Sequence, residues 1–212
     1  MNTELLHITN EDCMELMARY PDKHFDLAIV DPPYEANDAI GISDSNGHLV
    51  NRTKYRLFKN IKPSATYFGE LRRVSKNQII WGGNFFGLSG GVIAWNKNGT
   101  AFGEGEIAIC STHSSVRFFE FTWNGMIQED MKKKEVRIHP TQKPVALYKW
   151  ILDKYAKKGD KILDTHMGSG SIAIGCQQMG FNLTACELDK EYYEAALKRI
   201  ELNTSQTSIF NQ

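Results

Sequence analysis

The sequence between residues 161 and 187 constrains the fold more than any other part of the chain. An apolar strand pattern, Lys161–Asp164, leads through a glycine-rich turn into a helical pattern, Ser171–Met179. A second strand pattern at 182–186 ends at an acidic residue, Glu187. Two strands joined through one helix form a parallel βαβ unit. We therefore predict an α/β fold with a mostly parallel sheet and helices on both faces.

The rest of the chain supplies more alternating elements. A buried-strand pattern, Phe25–Val30, stops at the Asp31-Pro32-Pro33 break, so we expect Asp31 at the carboxyl end of a strand. Residues 35–57 are polar and predict a long mobile loop near the active site. Further strands are predicted at 77–81, 90–95, 106–110 and 116–121. Helices are predicted at 11–20, 64–74, 144–155 and 190–201, followed by a frayed tail.

Length and composition favour an ordinary globular protein. The 212 residues suit a single domain, 1–212, that needs no disulfide or metal. Lys plus Arg and Asp plus Glu both number 25, so net charge gives no signature of nucleic-acid binding. Two local basic stretches could instead follow a phosphate backbone or be solvated surface. They comprise Arg52, Lys54, Arg56, Lys59 and Lys62, and Lys132, Lys133, Lys134 and Arg137.

The cysteines and the N-terminus indicate a cytoplasmic protein. Cys13, Cys110, Cys176 and Cys186 form no CxxC pair and have no histidine spacing suited to zinc, which predicts reduced thiols and no metal. The chain opens without a basic segment followed by an apolar run, and no apolar stretch could span a membrane.

The glycine-rich turn predicts a nucleoside site. Gly168 and Gly170 let the backbone approach a ligand closely, but the turn has no GK[ST] ending and Asp164 would repel a phosphate. Glu187 follows at the distance where an acidic side chain accepts hydrogen bonds from ribose hydroxyls. A ribose without phosphate indicates S-adenosylmethionine. In the alternative, the glycines only permit tight packing and Glu187 only caps a helix.

The tetrapeptide Asp31-Pro32-Pro33-Tyr34 predicts chemistry on an exocyclic amine. The prolines fix the backbone in a rigid loop. The Asp31 carboxylate and the Pro32 carbonyl could accept the amine hydrogens, and Tyr34 could stack on a base extracted from the duplex. Direct in-line methyl transfer would follow, and the absence of a Pro-Cys pair argues against carbon-5 chemistry on cytosine. The alternative for this tetrapeptide alone is a tight turn.

With both halves in view, the chain resembles the β group of DNA amino-methyltransferases, including small phage and prophage enzymes, in which DPPY precedes the glycine motif. The resemblance covers nearly the whole chain. It rests on Asp31 to Tyr34, His139-Pro140-Thr141-Gln142-Lys143-Pro144, Asp164 to Ser171, and Glu187-Leu188-Asp189.

The resemblance implies a Rossmann-like methyltransferase fold of the seven-stranded type in circularly permuted order. It places Lys143 beside the methionine part of the cofactor and Asp12 with Cys13 beside its adenine. Thr165-His166 departs from the usual Pro-Phe, where His166 either stacks on the cofactor in place of Phe or is a satisfied surface histidine. The predicted cofactor-binding residues are Asp12, Cys13, Asp31, His139, Thr141, Lys143, Asp164, Thr165, His166, Gly168, Ser169, Gly170, Ser171, Glu187 and Leu188.

The resemblance also implies a small target-recognition insertion at 96–137. This insertion is short here, which suggests a brief recognition site, relaxed specificity, or dimerisation to complete the DNA cleft. Candidate contacts to double-stranded DNA are Arg117, Lys132 and Lys134. We interpret four aromatic residues as core, with base stacking as the alternative: Trp81, Trp95, Phe85 and Phe86.

These observations predict a DNA methyltransferase acting on N6 of adenine, since cytosine-N4 relatives more often begin the tetrapeptide with Ser. N4 of cytosine remains an alternative. Two further hypotheses are an RNA or protein amine as the acceptor, which the motif order disfavours, and a non-catalytic nucleic-acid-binding subunit, which the intact Asp31 and Tyr34 disfavour.

Overall fold

The computed structural model describes residues 1, 3–34, 42–43, 49–50, 62–99, 103–124 and 126–209. The strands are β1 Leu6–Asn10, β2 Phe25–Val30, β3 Ile42–Ser43, β4 Leu49–Val50, β5 Ser75–Trp81, β6 Gly91–Asn96, β7 Gly105–Cys110, β8 Val116–Glu120, β9 Lys161–Asp164 and β10 Asn182–Glu187. The helices are α1 Cys13–Ala18, α2 Ala65–Val74, α3 Val145–Tyr155, α4 Ser171–Met179 and α5 Lys190–Ile209, with a short 3-10 helix at Gly83–Phe86.

Eight of these strands form one sheet in the order β1-β10-β9-β2-β5-β7-β6-β8. The first five are parallel to their neighbours, whereas β7 runs antiparallel to both β5 and β6, and β8 is parallel to β6. The predicted α/β class with a mostly parallel sheet is confirmed. The edge strand β8 makes the sheet one strand wider than the seven-stranded type that the resemblance implies.

The two halves of the chain meet between β9 and β2. From β9 the chain passes through α4 to β10 on one side, and from β2 it passes through α2 to β5 on the other. The connections therefore diverge at this point and leave a crevice outside the carboxyl ends of the two strands. Open α/β sheets bind their ligands in such crevices.

Helices cover both faces of the sheet. Successive side chains along each strand point to opposite faces, so they contribute alternately to two apolar clusters. Helices α3, α4 and α5 pack with residues such as Ile29, Ile79 and Trp81 on one face. Helices α1 and α2 pack with Ala28 and Val30 on the other. The βαβ unit and the strand before Asp31 are thereby fixed in one core.

One expectation from the sequence changes. The tail predicted after Glu201 is wrong, because α5 continues to Ile209. Its extension is held by Thr204, whose hydroxyl lies 2.9 Å from the Ile200 carbonyl oxygen and 2.8 Å from Gln177 Oε1 of α4. The segment at 96–137 includes β7, which lies inside the sheet between β5 and β6.

Several other predictions concern residues that lie outside the described part of the chain. Most of the predicted loop at 35–57 lies outside the described residues, as do Arg52, Lys54, Arg56 and Lys59 of the first basic stretch. Among the helices that are described, none combines the length and apolar character needed to cross a membrane.

Candidate active site

Asp31 and Asp164 lie at the carboxyl ends of neighbouring strands. Strand β2 pairs with β9 through Leu27 opposite Ile162, so the residue after β2 and the last residue of β9 reach the same crevice. The Asp164 side chain is buried, and burial raises the pKa of its carboxyl to about 8. Its Oδ1 accepts a hydrogen bond from the backbone N–H of His166 at 2.9 Å. The two predicted halves of the site therefore adjoin each other.

The Tyr34 ring is held by a glycine turn at the end of β5. It stacks on Phe85 with ring centroids 4.5 Å apart and an angle of 9° between the planes. Gly82 has φ +63°, and a Cβ at that position would come within 2.5 Å of the Tyr34 ring. Burial raises the pKa of Tyr34 to about 12, so its phenol stays neutral. A larger residue than glycine would displace this ring.

Asp31 belongs to a chain of four charged side chains. Lys143 Nζ donates to Asp31 Oδ2 at 2.5 Å and lies 2.9 Å from Glu106 Oε2. Lys97 Nζ donates to Glu106 Oε1 at 2.5 Å. The lysine ammonium groups also lie over tryptophan rings, with Lys143 5.2 Å from the Trp81 centroid. We call Lys97, Glu106, Lys143 and Asp31 the charge chain.

Burial and pairing set the charges in this chain. Burial raises the pKa of Asp31, and the neighbouring Lys143 ammonium partly offsets that effect. Burial acts in the same direction on Glu106, but Lys143 and Lys97 outweigh it and lower the pKa of Glu106 to about 2. Burial would lower the pKa of Lys143, whereas its two carboxylate partners raise it well above the ordinary value. Glu106 and Lys143 are therefore ionised at neutral pH.

The glycine-rich turn folds around Glu187. Gly168 and Gly170 have φ of +53° and +71°, and Gly170 caps the start of α4. Glu187 Oε2 accepts the Gly168 N–H at 2.8 Å, and its Oε1 accepts the Asp189 N–H at 2.9 Å. Each carboxylate oxygen uses one backbone donor and retains further acceptor capacity. Burial raises the pKa of this carboxyl.

Hydrogen bonds join the HPTQKP segment to this turn. The Ser171 hydroxyl donates to the Lys143 carbonyl at 2.7 Å and lies 3.1 Å from the Ser169 hydroxyl. Arg199 of α5 donates to the Ser169 carbonyl at 2.8 Å and pairs with Glu135 at 2.6 Å. These contacts fix the backbone just before α3 against the start of α4.

His139 and Thr141 lie on the same side of the turn. The Thr141 hydroxyl and His139 Nδ1 are 3.1 Å apart. The imidazole packs edge-on against Tyr192 at 4.3 Å and lies 3.7 Å from the position of a Cβ on Gly168. Burial lowers the pKa of His139 to about 4, so this ring is neutral at physiological pH.

Thr165 and His166 form a small polar cluster with Tyr67 of α2. The Tyr67 and Thr165 hydroxyls are 2.7 Å apart, and Thr165 Oγ1 lies 2.9 Å from His166 Nδ1. The His166 ring also meets Tyr67 edge-on at 5.3 Å. Burial lowers the pKa of His166 to about 4. His166 is therefore half-buried and neutral, with its Nδ1 within hydrogen-bond distance of Thr165.

The remaining predicted cofactor residues flank Glu187. Asp12 caps α1 by accepting the Met14 N–H at 2.7 Å, and Asn10 of β1 is the register partner of Glu187. Cys13 begins α1, and burial raises the pKa of its thiol to about 11. Leu188 follows β10 and is exposed.

The predicted DNA-contact residues do not join this cluster. Arg117 lies on the edge strand β8, and Lys132 and Lys134 are exposed in the segment before α3. Trp81 and Trp95 are buried, which confirms them as core residues. Phe85 is not core, because 54% of its surface is exposed beside Tyr34.

Sequence reasoning missed Glu106, Lys97 and Tyr67. Glu106 is the first of the β7 positions whose side chains share a face with Ala108 and Cys110, both of which are buried. An acidic residue at an inward position of a strand was the available signal. Lys97 carries no such signal, because a lysine just after a strand is ordinarily solvated, and its pairing with Glu106, nine positions later, depends on how β6 and β7 pair.

The described residues contain no group of three or more His, Cys, Asp or Glu side chains arranged to hold a metal ion.

Comparison with known proteins shows that the chain is similar to DNA methylases. Residues 106–198 match the N6_N4_Mtase model, described as DNA methylase. The type II methyltransferase M2.DpnII of Streptococcus pneumoniae is 24% identical over 94% of this chain and 91% of its own length. M2.MboI of Moraxella bovis is 23% identical over 91% of this chain and 86% of its own.

Solved structures share the fold. The M1.HpyAVI–SAM complex superposes with a TM-score of 0.59 and 20% identity, covering 92% of this chain and 100% of that one. PvuII DNA methyltransferase (cytosine-N4-specific) gives a TM-score of 0.63 and 10% identity, covering 96% and 92%. The chain is therefore similar in sequence to N6/N4 DNA methylases along nearly its full length, and it shares the fold of these solved structures.

Proposed function

We propose that this protein is an S-adenosylmethionine-dependent DNA methyltransferase that methylates N6 of adenine. One observation carries the proposal: Asp31 of the DPPY loop and the glycine-rich turn after Asp164 meet at the diverging ends of β2 and β9. An amine acceptor and a nucleoside-binding turn thus share one crevice. The M1.HpyAVI structure, which has the same fold, is a complex with SAM.

The residues around the turn fit this cofactor. Glu187 retains acceptor capacity on both oxygens, as two neighbouring ribose hydroxyls require. The positive φ angles of Gly168 and Gly170 keep side chains away from the ligand. When bound, S-adenosylmethionine supplies an electrophilic methyl group.

The other residues predicted to hold the cofactor surround these groups. Asp12 and Cys13 approach from the end of β1, and the HPTQKP segment approaches from the start of α3. We assign the cofactor contacts to Asp12, Cys13, His139, Thr141, Lys143, Asp164, Thr165, His166, Gly168, Ser169, Gly170, Ser171, Glu187 and Leu188.

The DPPY loop would hold the target amine. Its nitrogen is a poor nucleophile because the lone pair is delocalised into the base. Acceptance of its two hydrogens by the Asp31 carboxylate and the Pro32 carbonyl would direct the lone pair toward the methyl group. Methyl transfer would form the nitrogen–carbon bond as the sulfur–carbon bond breaks, and the Asp31 carboxylate is placed to take the proton that the nitrogen would then lose.

The aromatic pair would bind the extracted base. Tyr34 is held against Gly82 and stacked on Phe85, so an aromatic surface stands beside Asp31. Base stacking on such rings is sequence-tolerant, and hydrogen bonds to the base edge supply the discrimination. Asp at the first position of the tetrapeptide supports adenine as the base.

The test is methyl transfer followed by identification of the product. The purified chain is incubated with labelled S-adenosylmethionine and unmethylated duplex DNA, and the nucleosides are separated by mass spectrometry, with matched RNA as a second substrate. We expect N6-methyladenine in DNA. N4-methylcytosine would overturn the choice of base, and methylation of RNA alone would overturn DNA as the substrate.

A further inference from the structure

Two of the four residues in the charge chain have no role in the proposed mechanism. Asp31 and Lys143 are predicted site residues, but Glu106 and Lys97 come from β7 and from the end of β6. Each Glu106 oxygen has its own lysine, because Oε1 accepts from Lys97 and Oε2 pairs with Lys143. The four side chains are at most 26% exposed, and their formal charges sum to zero.

We infer that Glu106, fixed by Lys97, is a positioning residue that holds the Lys143 ammonium on one oxygen of Asp31 and so leaves the other oxygen for the target amine. The inference rests on the proposed function. Lys143 approaches Asp31 through Oδ2 while its second partner, Glu106, pulls the ammonium toward β7. Without that second partner, the ammonium would be free to shift across both oxygens of Asp31 and compete with the base.

A purely structural role explains Glu106 poorly. The β7 side chains on the same face, Ala108 and Cys110, are buried and apolar, and Trp95 is the register partner of Glu106 on β6. An apolar residue would pack there without the desolvation penalty that a partly buried carboxylate carries. Replacement of buried ion pairs by apolar residues is often neutral or stabilising. The charge is therefore better explained by what it does to Lys143 and Asp31.

Charged and titratable groups face Asp31 from every element around it. Glu106 acts to raise the pKa of Asp31, whereas Lys143 and Lys97 act to lower it. Asp164 and the hydroxyls of Tyr34 and Tyr148 complete the set. Asp31 must be ionised to accept the amine hydrogens, so activity rises with pH through its pKa. This rise is the acidic limb of the pH–rate profile. Loss of Glu106 and loss of Lys97 should move it in opposite directions along the pH axis.

The test is the pH dependence of single-turnover methyl transfer to DNA by Glu106→Gln and Lys97→Met. We expect the acidic limb to move down by about 1 pH unit in Glu106→Gln and up in Lys97→Met. The plateau rate of Glu106→Gln should fall about tenfold to a hundredfold, because the Asp31 oxygen is no longer kept free. Glu104→Gln, an exposed neighbour, and Lys149→Met, on the exposed side of α3, are matched controls that should leave both quantities unchanged.

The double variant separates orientation from charge. Glu106→Gln with Lys97→Met restores a neutral chain, so its acidic limb should return toward that of the wild type while its plateau rate stays low. Far-UV circular dichroism and thermal melting check that each variant folds. Equal plateau rates in wild type and Glu106→Gln, or displacement of both single variants in the same direction, would overturn this inference alone. A wild type that transfers no methyl group to DNA at any pH would overturn it together with the proposed function.

Discussion

Asp164 ends β9 with its side chain almost completely buried, and burial raises the pKa of its carboxyl from 3.8 to about 8. Between these values the folded protein holds a proton that the unfolded chain has released. The contribution of Asp164 to the free energy of unfolding therefore falls as pH rises through this window. A buried carboxyl at this position costs stability at neutral pH.

Asp164→Asn should remove this pH dependence. The amide oxygen can still accept the His166 N–H, but no charge has to be buried. Relative to wild type, the variant should gain about 1 to 3 kcal/mol between about pH 5 and about pH 8. Urea unfolding of the cofactor-free proteins measures this, with the exposed Asp153→Asn as control. A stability difference that does not change with pH would contradict the assignment.

Glu187 is the residue whose removal should most directly weaken cofactor binding. Its carboxylate orders the turn through the Gly168 and Asp189 N–H groups, and we assign it the ribose hydroxyls. Because a hydrogen bond to a charged group contributes about 1.5 to 3 kcal/mol, Glu187→Ala should raise the Kd about tenfold to a hundredfold. Calorimetric titration against Glu194→Ala, an exposed position on α5, checks this. Unchanged affinity would remove Glu187 from the ribose role.

Among the elements, the turn at the end of β5 links backbone geometry to the aromatic pair. Gly82 and Gly87 flank the 3-10 helix, and both have left-handed φ, +63° and +67°. A Cβ on Gly82 would strike the Tyr34 ring at 2.5 Å, whereas a Cβ on Gly87 would meet nothing within 4 Å. Variants at the two positions therefore distinguish the effect of backbone strain from the effect of displacing Tyr34.

Substitution of either glycine by alanine should cost about 1 to 2 kcal/mol of unfolding free energy through backbone strain, because both residues need the same backbone conformation. Gly82→Ala should cost more than Gly87→Ala, because its Cβ also displaces the Tyr34 ring. Only Gly82→Ala should also reduce methyl transfer, by about tenfold or more, since it moves the ring that stacks on the base. Thermal unfolding and single-turnover rates measure the two effects. Equal activity in both variants would show that the position of Tyr34 does not matter.

The sequence predicted local elements well and long-range contacts poorly. β2, β9 and α4 begin and end where their hydrophobic patterns and turn residues indicated. The end of α5 was missed, because Thr204 is held by contacts to α4 that no local pattern encodes. Local patterns also gave no indication that Lys143 pairs with Asp31, because the two residues are 112 positions apart. Local propensity fixes strands and turns, but the sheet order decides which charges meet.

Across the whole molecule, zero net charge means that DNA binding must rely on local basic surface. We predict that the exposed Lys132 and Lys134 contact phosphates. The alignment with M2.DpnII is 246 positions long, more than the 212 residues of this chain, so that relative carries inserted segments. A short recognition region, as we predict at 96–137, would leave more of the affinity to backbone contacts, which depend on salt.

Lys132→Ala with Lys134→Ala should weaken DNA binding similarly on all sequences. The slope of log Kd against log salt should shrink by about 2, or about 1 for each lysine–phosphate pair that is removed. Fluorescence anisotropy over a salt series gives the slope, and cofactor affinity should not change. The exposed Lys157→Ala with Lys158→Ala, on the loop after α3, serves as the control. An unchanged slope would exclude this segment from the DNA interface.

The central claim is that Asp31, at the meeting point of the two halves of the sheet, performs the transfer and not merely the folding of the site. Its most direct test is methyl transfer to duplex DNA by Asp31→Ala, with calorimetric titration of S-adenosylmethionine on the same protein sample. We predict that transfer falls by at least about a hundredfold while the cofactor Kd stays within about threefold of the wild-type value. Substantial transfer by this variant with normal cofactor binding would contradict the account.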